Sequence, residues 1–397
     1  VIRPEDLAAL ASGRHPARTL PFQTLRELLL RELEAGNVVR SERDGLELWT
    51  YTTVCQFDRR WTLASLLSRG LVLDPAASRV AATPFPKFFN WGEMSFDLPR
   101  TGFEVTEKVD GSLAILFSHA GAWRVVTKGA FESEQARWAG NWLRERCSQR
   151  GLRAGCTYLM EAVYPSNRIV VRYPFEGLVL LSAYDEEGVE FPRVDLAGVA
   201  DACGFRLVSI REHPTIDGLL HVAEQLSHQE EGFVVRFPNG LRVKIKGREY
   251  CRIHKLISNC TPLAVWEGLL KGDDLDASLR DLPEEFRRDF QAIRGLLDVR
   301  LKETVDAIRR ARNATAGLSD KALGLLLQSG GALPDGSVCP HEIGRFVFAD
   351  RKLDIFRAVE GDRRTREGVF RLFRPGRNRL EGYTPSSAMN RFADADS

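Results

Sequence analysis

Lys108 lies in the run Glu107-Lys108-Val109-Asp110-Gly111-Ser112-Leu113, and a second pair of lysines follows much later in Val243-Lys244-Ile245-Lys246. A lysine ammonium ordinarily titrates near about 10.4, so at neutral pH it attacks nothing unless its surroundings favour the free amine. Nearby cations or an apolar pocket supply that bias. Alternate residues of a strand share a face, so Lys244 and Lys246 point the same way. Brought close to Lys108, they would disfavour its charged form and neutralise the phosphate it attacks. Asp110 offers oxygen atoms to a ribose hydroxyl, and Gly111 allows backbone to approach a ligand or take positive φ. Taken alone, the first segment is also an ordinary surface turn and the second a solvent-facing stripe on an edge strand.

Further segments carry chemistry of the same kind. Phe85-Pro86-Lys87-Phe88-Phe89-Asn90-Trp91-Gly92-Glu93 mixes aromatics with a lysine, an asparagine and a glutamate, which suits a flat base that is both stacked and hydrogen-bonded, or a core strand entering a turn. Lys128, at the end of a strand before Gly129, can reach a phosphate. Glu161 is a carboxylate in the apolar run Tyr158–Val163, and such groups are seldom buried without a partner. Asn167-Arg168 contacts a ligand or caps a loop. Glu231, in Glu231-Gly232-Phe233-Val234, opens a hairpin whose return strand bears Lys244 and Lys246, so it is placed to hold a hydrated divalent cation while the lysines grip phosphate. Tyr250 and His254, four apart, share a face of a following helix.

The elements that must position these residues are mostly strands. The first forty residues read as helical, with Leu25, Leu28, Leu29 and Leu33 on one face and a stop near Gly36-Asn37. Strands are expected at Leu46–Thr52, Gly70–Leu73, Phe103–Lys108, Ser112–Ser118 and Trp123–Thr127, and a helix from Ser133 to Gln149. More strands are expected at Thr157–Val163, Arg168–Arg172 and Leu178–Tyr184, and two helices come next. The pair Gly232–Phe237 and Leu241–Lys246 is joined by Pro238-Asn239-Gly240, a turn that tolerates the positive φ a hairpin needs. From Phe286 to Ile308 apolar residues recur at spacings of three and four, describing one long helix entered through Pro283. Helices are also expected at Ser319–Gln328 and Arg351–Val359. The expected class is α+β: antiparallel sheets with flanking helices over 1–262, then an all-helical domain over 263–397. Arginines crowd Asp362–Arg379, either as a solvated, partly disordered face or as a phosphate-binding surface. The last dozen residues read as disordered.

Hydrophobic residues make up 44% and charged residues 28% of the 397 positions, as in an ordinary globular protein. Lys plus Arg number 56 against 54 Asp plus Glu, so any basic surface is local. The seven cysteines include no Cys-x-x-Cys, which favours reduced thiols over a zinc site. Without a long apolar run or a signal-peptide pattern, the expectation is a cytoplasmic protein with no membrane partner. The chain starts at Val1, so a targeting segment can have been trimmed.

In this order and at these separations, the motifs resemble the covalent nucleotidyltransferase superfamily of polynucleotide ligases and capping enzymes, and within it the RNA ligase 1 family of bacteriophage type. Lys108-Val109-Asp110-Gly111-Ser112-Leu113 resembles the family's nucleophile motif, Phe85–Glu93 its "PFPKFFN-x-GE" signature, and Arg69-Gly70-Leu71-Val72-Leu73-Asp74 the segment upstream. Thr127-Lys128-Gly129, Glu161 with Pro165–Val170, Glu231–Val234, and Lys244-Ile245-Lys246 with Tyr250 complete the set. Ser68 and Trp91 depart from the usual residues, and nothing beyond residue 262 aligns with a motif.

The resemblance implies that Lys108 attacks the α-phosphate of ATP and holds AMP as a phosphoramide. It implies that Arg69, Lys87 and Lys128 contact the ATP phosphates, that Phe88 helps form the adenine pocket, and that Asp110 and Glu161 serve the nucleoside and metal shell. Glu231 would position Mg²⁺ or Mn²⁺, and Lys244 and Lys246 would bind the α-phosphate. The implied activity is ATP-dependent joining of RNA 5′-phosphate and 3′-hydroxyl ends in RNA repair, tRNA included, alongside an end-healing kinase and phosphatase. A DNA ligase or capping guanylyltransferase is the rival enzyme, although those relatives usually follow the lysine hairpin with a β-barrel and this chain turns helical. A catalytically idle RNA-binding or sensor protein is the rival of another class.

Overall fold

The computed structural model describes residues 2–93, 98, 102–282, 284–328, 332–333, 336, 338–376 and 379–386. Pro283, Arg377 and the tail from 387 onward lie outside the described residues. Contacts divide the chain into two compact units, one ending at Arg252 and the other beginning at Ile253. The sequence pattern places the change of character at 262/263.

The first unit is built on three sheets. Helices α1 (Pro4–Leu10), α2 (Pro16–Thr19) and α3 (Phe22–Glu34) come first. Leu25 and Leu29 of α3 are fully buried, as their spacing predicts, and the chain leaves through Gly36 at φ 72°. The first sheet has the order β1 (Val38–Arg43), β2 (Leu46–Tyr51), β3 (Arg69–Asp74), β4 (Arg79–Ala82), with antiparallel neighbours. Only one end of β1 is buried, which is why its sequence shows no apolar alternation. Two short helices, α4 (Thr53–Phe57) and α5 (Leu63–Leu67), connect β2 to β3.

A second sheet contains β7 (Ser112–His119), β8 (Ala122–Thr127), β9 (Thr157–Val163), β10 (Gly177–Tyr184) and β11 (Arg206–Leu207), in the order β11-β10-β9-β7-β8. Helices α6 (Glu134–Arg146) and α7 (Arg193–Cys203) bury Ala139, Leu143, Leu196 and Val199 in a core with Leu116, Tyr158 and Leu180 from this sheet. The third sheet runs β5 (Phe89–Asn90), β13 (Arg242–Lys246), β12 (Gly232–Arg236), β6 (Glu104–Glu107), and α8 (Ile216–Gln225) covers its apolar side through Leu219 and Ala223. As Asn239-Gly240 predicts, β12 and β13 form an antiparallel hairpin, pairing Val234 with Lys244 and Gly232 with Lys246. Gly240 has φ 86°.

Two expectations are corrected. Arg168–Arg172 is irregular chain rather than strand, because the amides of Val170 and Val171 donate to Asp110 Oδ2 at 2.8 and 2.9 Å instead of to a ladder. The helix expected over Arg351–Val359 is broken: α14 (His341–Lys352) ends and α15 (Ile355–Gly361) restarts with Asp354 capping the amides of Phe356 and Arg357.

The second unit is helical. After α9 (Arg248–Ser258), α10 (Pro262–Lys271) and α11 (Leu275–Asp281), the long α12 (Glu284–Ala314) buries Phe286, Phe290, Ile293, Leu297, Val305 and Ile308, the stripe that the spacing describes. Then come α13 (Asp320–Gln328), α14, α15 and α16 (Arg363–Arg371). The arginine-rich tract is thus partly ordered helix. Asp362 caps it, Val369 and Phe370 are buried, Arg366 donates to the Leu269 carbonyl, and Arg363, Arg364, Arg371, Arg374 and Arg379 are exposed. No helix among the described residues is long and apolar enough to cross a membrane.

Gly232 shows how tightly the hairpin is drawn. It has φ +134°, and a Cβ there would stand 2.1 Å from the Ile245 carbonyl oxygen and 2.8 Å from Lys246 Cα. Backbone cannot give way as a side chain can, so Gly232→Ala is expected to cost about 3 kcal/mol or more. The denaturant midpoint measures it; a shift worth under ~1 kcal/mol would contradict the strain.

Candidate active site

A cavity of about 580 Å³ opens in the first unit, of a size that takes a nucleotide-sized ligand. Arg69, Lys87, Lys108, Lys128, Lys244 and Lys246 all line it, together with Phe85, Phe88, Gly111 and Glu161. Residues from three strands and three loops therefore meet at one place.

The motif lysine follows β6, and its amide donates to the Gly232 carbonyl at 2.8 Å, tying the lysine segment to β12. Its Nζ lies 2.7 Å from Glu231 Oε2, and Lys246 Nζ lies 2.9 Å from Glu231 Oε1. Glu231 is buried, with both oxygens taken by ammonium groups. Burial alone would raise its pKa, but Lys108 and Lys246 outweigh that and hold it below the usual carboxylate value.

The expectation that neighbouring lysines free the Lys108 amine is not met in this state. Burial pushes the Lys108 pKa down, yet the negative charges of Glu231 and Glu161 and the hydrogen bond to Glu231 reverse this and hold it above its ordinary value. The depressed lysine is Lys244, brought down to about 7 by burial and by the cations Lys87, Lys246, Lys108 and Arg69. Lys128 is lowered as well, by lost hydration and then by Arg69.

Arg69 and Lys87 are seated on aromatics. The Arg69 guanidinium lies 5.5 Å from the Phe88 ring centroid, and among the described residues its enclosed Nη1 has no hydrogen-bond partner. Lys87 Nζ lies 5.4 Å from the rings of Tyr51, Trp61 and Phe89, and Lys128 Nζ 4.8 Å from Tyr51. Ring faces favour a cation without satisfying it as an anion would. Tyr51 escapes a reading of the sequence because it sits in a strand that looks like plain core.

Asp110 is not in the cavity wall. Its Oδ2 accepts from Val170 and Val171, its Oδ1 accepts from the Tyr250 hydroxyl at 2.9 Å, and its amide meets the Tyr173 hydroxyl at 2.8 Å. Burial, then Glu231, keeps its pKa above the usual value against these hydrogen bonds. Tyr250 also lies outside the wall, under Lys246 at 5.2 Å. The pair braces the lysine loop from behind. Gly111 allows a close approach of another kind than expected: a Cβ there would stand 2.6 Å from the Ala162 carbonyl of β9. Asn167 is buried beside it, donating to that carbonyl at 2.6 Å and accepting from Ser112.

Glu161 lines the cavity, as do Glu104, Glu107 and Glu190, and its charge acts on Lys108. Lost hydration, in part opposed by Lys108, pushes its pKa up to about 8. No cluster of three or more His, Cys, Asp or Glu side chains forms a metal cage among the described residues. A Mg²⁺ ion carried in by phosphate oxygens needs only one or two carboxylates, and Glu161 fits that requirement better than Glu231 and Asp110, the residues expected from the sequence. Arg242 is a wall residue the motifs do not flag. It ion-pairs Glu190, which also binds Arg236 at 2.8 Å, and its guanidinium lies 4.6 Å from the Phe85 ring. Its place two residues before Lys244 on β13 was the available signal.

Strands of separate sheets thus present the motif lysine beside a hairpin that carries further cations. Residues 67–250 match the family described as RNA ligase. It is 27% identical over 218 residues to a candidate bifunctional polynucleotide kinase/RNA ligase of Autographa californica nuclear polyhedrosis virus, covering 47% of this chain and 30% of that protein. It is 28% identical over 207 residues to a candidate RNA ligase of Thermovibrio ammonificans, covering 47% and 52%. An archaeal ATP-dependent RNA ligase superposes with a TM-score of 0.44 at 16% identity over 72% of this chain and 83% of that one. The chain spans about half or less of the length of the curated relatives it matches.

Three outcomes follow from the electrostatics. A bound polyphosphate restores charge to Lys244, so calorimetry of tripolyphosphate binding at pH 8, in buffers of different ionisation enthalpy, is expected to show proton uptake that falls in Lys244→Met. Absence of uptake by the unaltered protein would contradict the depressed lysine. Between pH 7 and about 10.4 the unfolded chain holds more proton at Lys244 than the folded one, so this group's contribution to stability rises with pH there. Asp110→Asn puts an amide donor among donors, and about 3 kcal/mol of stability is expected to be lost in urea unfolding; a neutral change would exclude the bracing role.

Proposed function

We propose that the protein is an ATP-dependent RNA ligase that joins a 5′-phosphate to a 3′-hydroxyl through a lysyl-AMP and an adenylylated RNA. The observation that carries the reading is the convergence of Lys108 with Arg69, Lys87, Lys128, Lys244 and Lys246 in one cavity. Adenylyl transfer requires in-line placement and neutralised phosphate charge more than it requires elaborate acid–base groups. The match of residues 67–250 to the family described as RNA ligase supports the assignment to RNA.

Lys108 must first lose its proton and leave Glu231, whose other oxygen stays with Lys246. The free Nζ lone pair then bonds to the α-phosphorus of ATP as the bond to the pyrophosphate oxygen breaks. An oxygen of the RNA 5′-phosphate next attacks the same phosphorus, breaking the P–N bond and returning the amine. Attack by the 3′-hydroxyl on the activated 5′-phosphate seals the strand and releases AMP. Arg69, Lys87 and Lys128 grip the departing pyrophosphate, Phe88 borders the base, and Lys244 and Lys246 hold the α-phosphate. A divalent cation, Mg²⁺ or Mn²⁺, supplies further charge neutralisation on the phosphates, with Glu161 its carboxylate partner. The first unit carries this chemistry. The substrate ends are those a polynucleotide kinase and a 3′-phosphatase leave behind.

With α-labelled ATP and Mg²⁺, the protein is expected to take up label that Lys108→Ala does not, and excess ATP but not GTP should compete. Robust labelling of that variant, or preference for GTP, would overturn the reading. Glu161→Gln is expected to raise the metal concentration for half-maximal labelling roughly tenfold or more; an unchanged requirement would remove Glu161 from the metal.

A further inference from the structure

A second concavity, about 640 Å³, lies between β8 and α6. Its wall carries Arg43, Arg124, Arg137 and Arg144 against Asp44 and Glu132. Two of the arginines are spoken for, Arg43 by Glu132 at 2.5 Å and Arg124 by Asp44 at 2.6 Å. Arg137 and Arg144 are exposed, and among the described residues neither is ion-paired; Arg144 bonds only the neutral Asn141. They are seven residues apart on α6, nearly two turns, so they project from one face roughly 10 Å apart. Nothing in the adenylylation chemistry uses them.

The groove adjoins the nucleotide cavity. Along β8, residues Ala122–Val126 line the groove and Thr127 lines the cavity; along α6, Gln135 lines the cavity and Ala136, Arg137, Gly140 and Asn141 line the groove. At about 3.3 Å per strand residue, Arg124 stands roughly 13 Å along the chain from Lys128. The first turn of α6, capped by Ser133, separates the two spaces. An anionic chain that leaves the Lys108 site past Lys128 therefore meets two unpaired guanidiniums, roughly 10 Å apart at the backbone, on long side chains that can reach nearby backbone phosphates.

We propose that this groove is the track of the single-stranded RNA next to the end being activated, with Arg137 and Arg144 its phosphate contacts. The proposal rests on the RNA ligase reading, whose failure would appear separately as absence of lysyl-AMP. RNA is favoured over an acidic protein because the groove opens beside a site that itself handles a nucleic-acid phosphate.

The test uses the full chain and the variant Arg137→Glu/Arg144→Glu. Lysyl-AMP formation from labelled ATP is expected to match the unaltered protein, which also reports an intact fold. Affinity for a 5′-phosphorylated single-stranded RNA should fall at least tenfold, and sealing of pre-adenylylated RNA should slow at low RNA concentration but recover when RNA is saturating. The salt slope of binding should shrink by about 0.7 for each lost contact, and Arg137→Lys/Arg144→Lys should restore most of the affinity. Unchanged RNA affinity in the Glu variant would overturn the track. So would a polyglutamate peptide that binds the unaltered protein as tightly as RNA and loses affinity equally in the variant, since that assigns the groove to an acidic protein.

Discussion

The buried Glu231 carboxylate, held between the ammonium groups of Lys108 and Lys246, organises the site. A carboxylate removed from water is costly unless it is paired, so the lysine loop, the start of β12 and the end of β13 must converge for either the acid or the amines to be tolerated. Gly232 permits that convergence by letting backbone pass where no side chain fits, and the Lys108 amide closes it by bonding the Gly232 carbonyl. Asp110 and Tyr250 brace the arrangement from the other side.

One consequence is a division of labour among the lysines. Lys108 is kept charged by Glu231, Lys246 ion-pairs the same carboxylate, and Lys244, which has no carboxylate partner among the described residues and faces several cations, takes the cost of crowding. The site is thus poised for anion binding: Arg69, Lys87 and Lys128 rest on aromatic faces instead of carboxylates, and polyphosphate can supply the counter-charge they lack. Lys108 is the exception, held in its charged form by Glu231 and Glu161.

Much of this was legible in the chain because the residues that act are also close in local pattern. Lys244 and Lys246 share a face by strand alternation, the Asn239-Gly240 turn fixes their hairpin, and the spacing from Phe286 to Ile308 describes α12. What was not legible depends on contacts across sequence distance. Asp110 reads as a ligand for ribose, yet its oxygens are taken by amides some sixty residues away and by Tyr250. The same contacts turn Arg168–Arg172 from expected strand into irregular chain. Tyr51 and Arg242 carry no signature of their own and join the site only through the packing of separate sheets. In the second unit, the pause at Asp354 is a side-chain capping event inside an apparently continuous helical pattern.

The account stands on Lys108 as the group that becomes covalently bound to the nucleotide, and peptide mapping by mass spectrometry after incubation with ATP and Mg²⁺ asks this directly. An AMP adduct confined to the peptide that contains Lys108 is the result the account predicts. An adduct on the peptide that contains Lys244 and Lys246, or none while RNA ends are still joined, would contradict it.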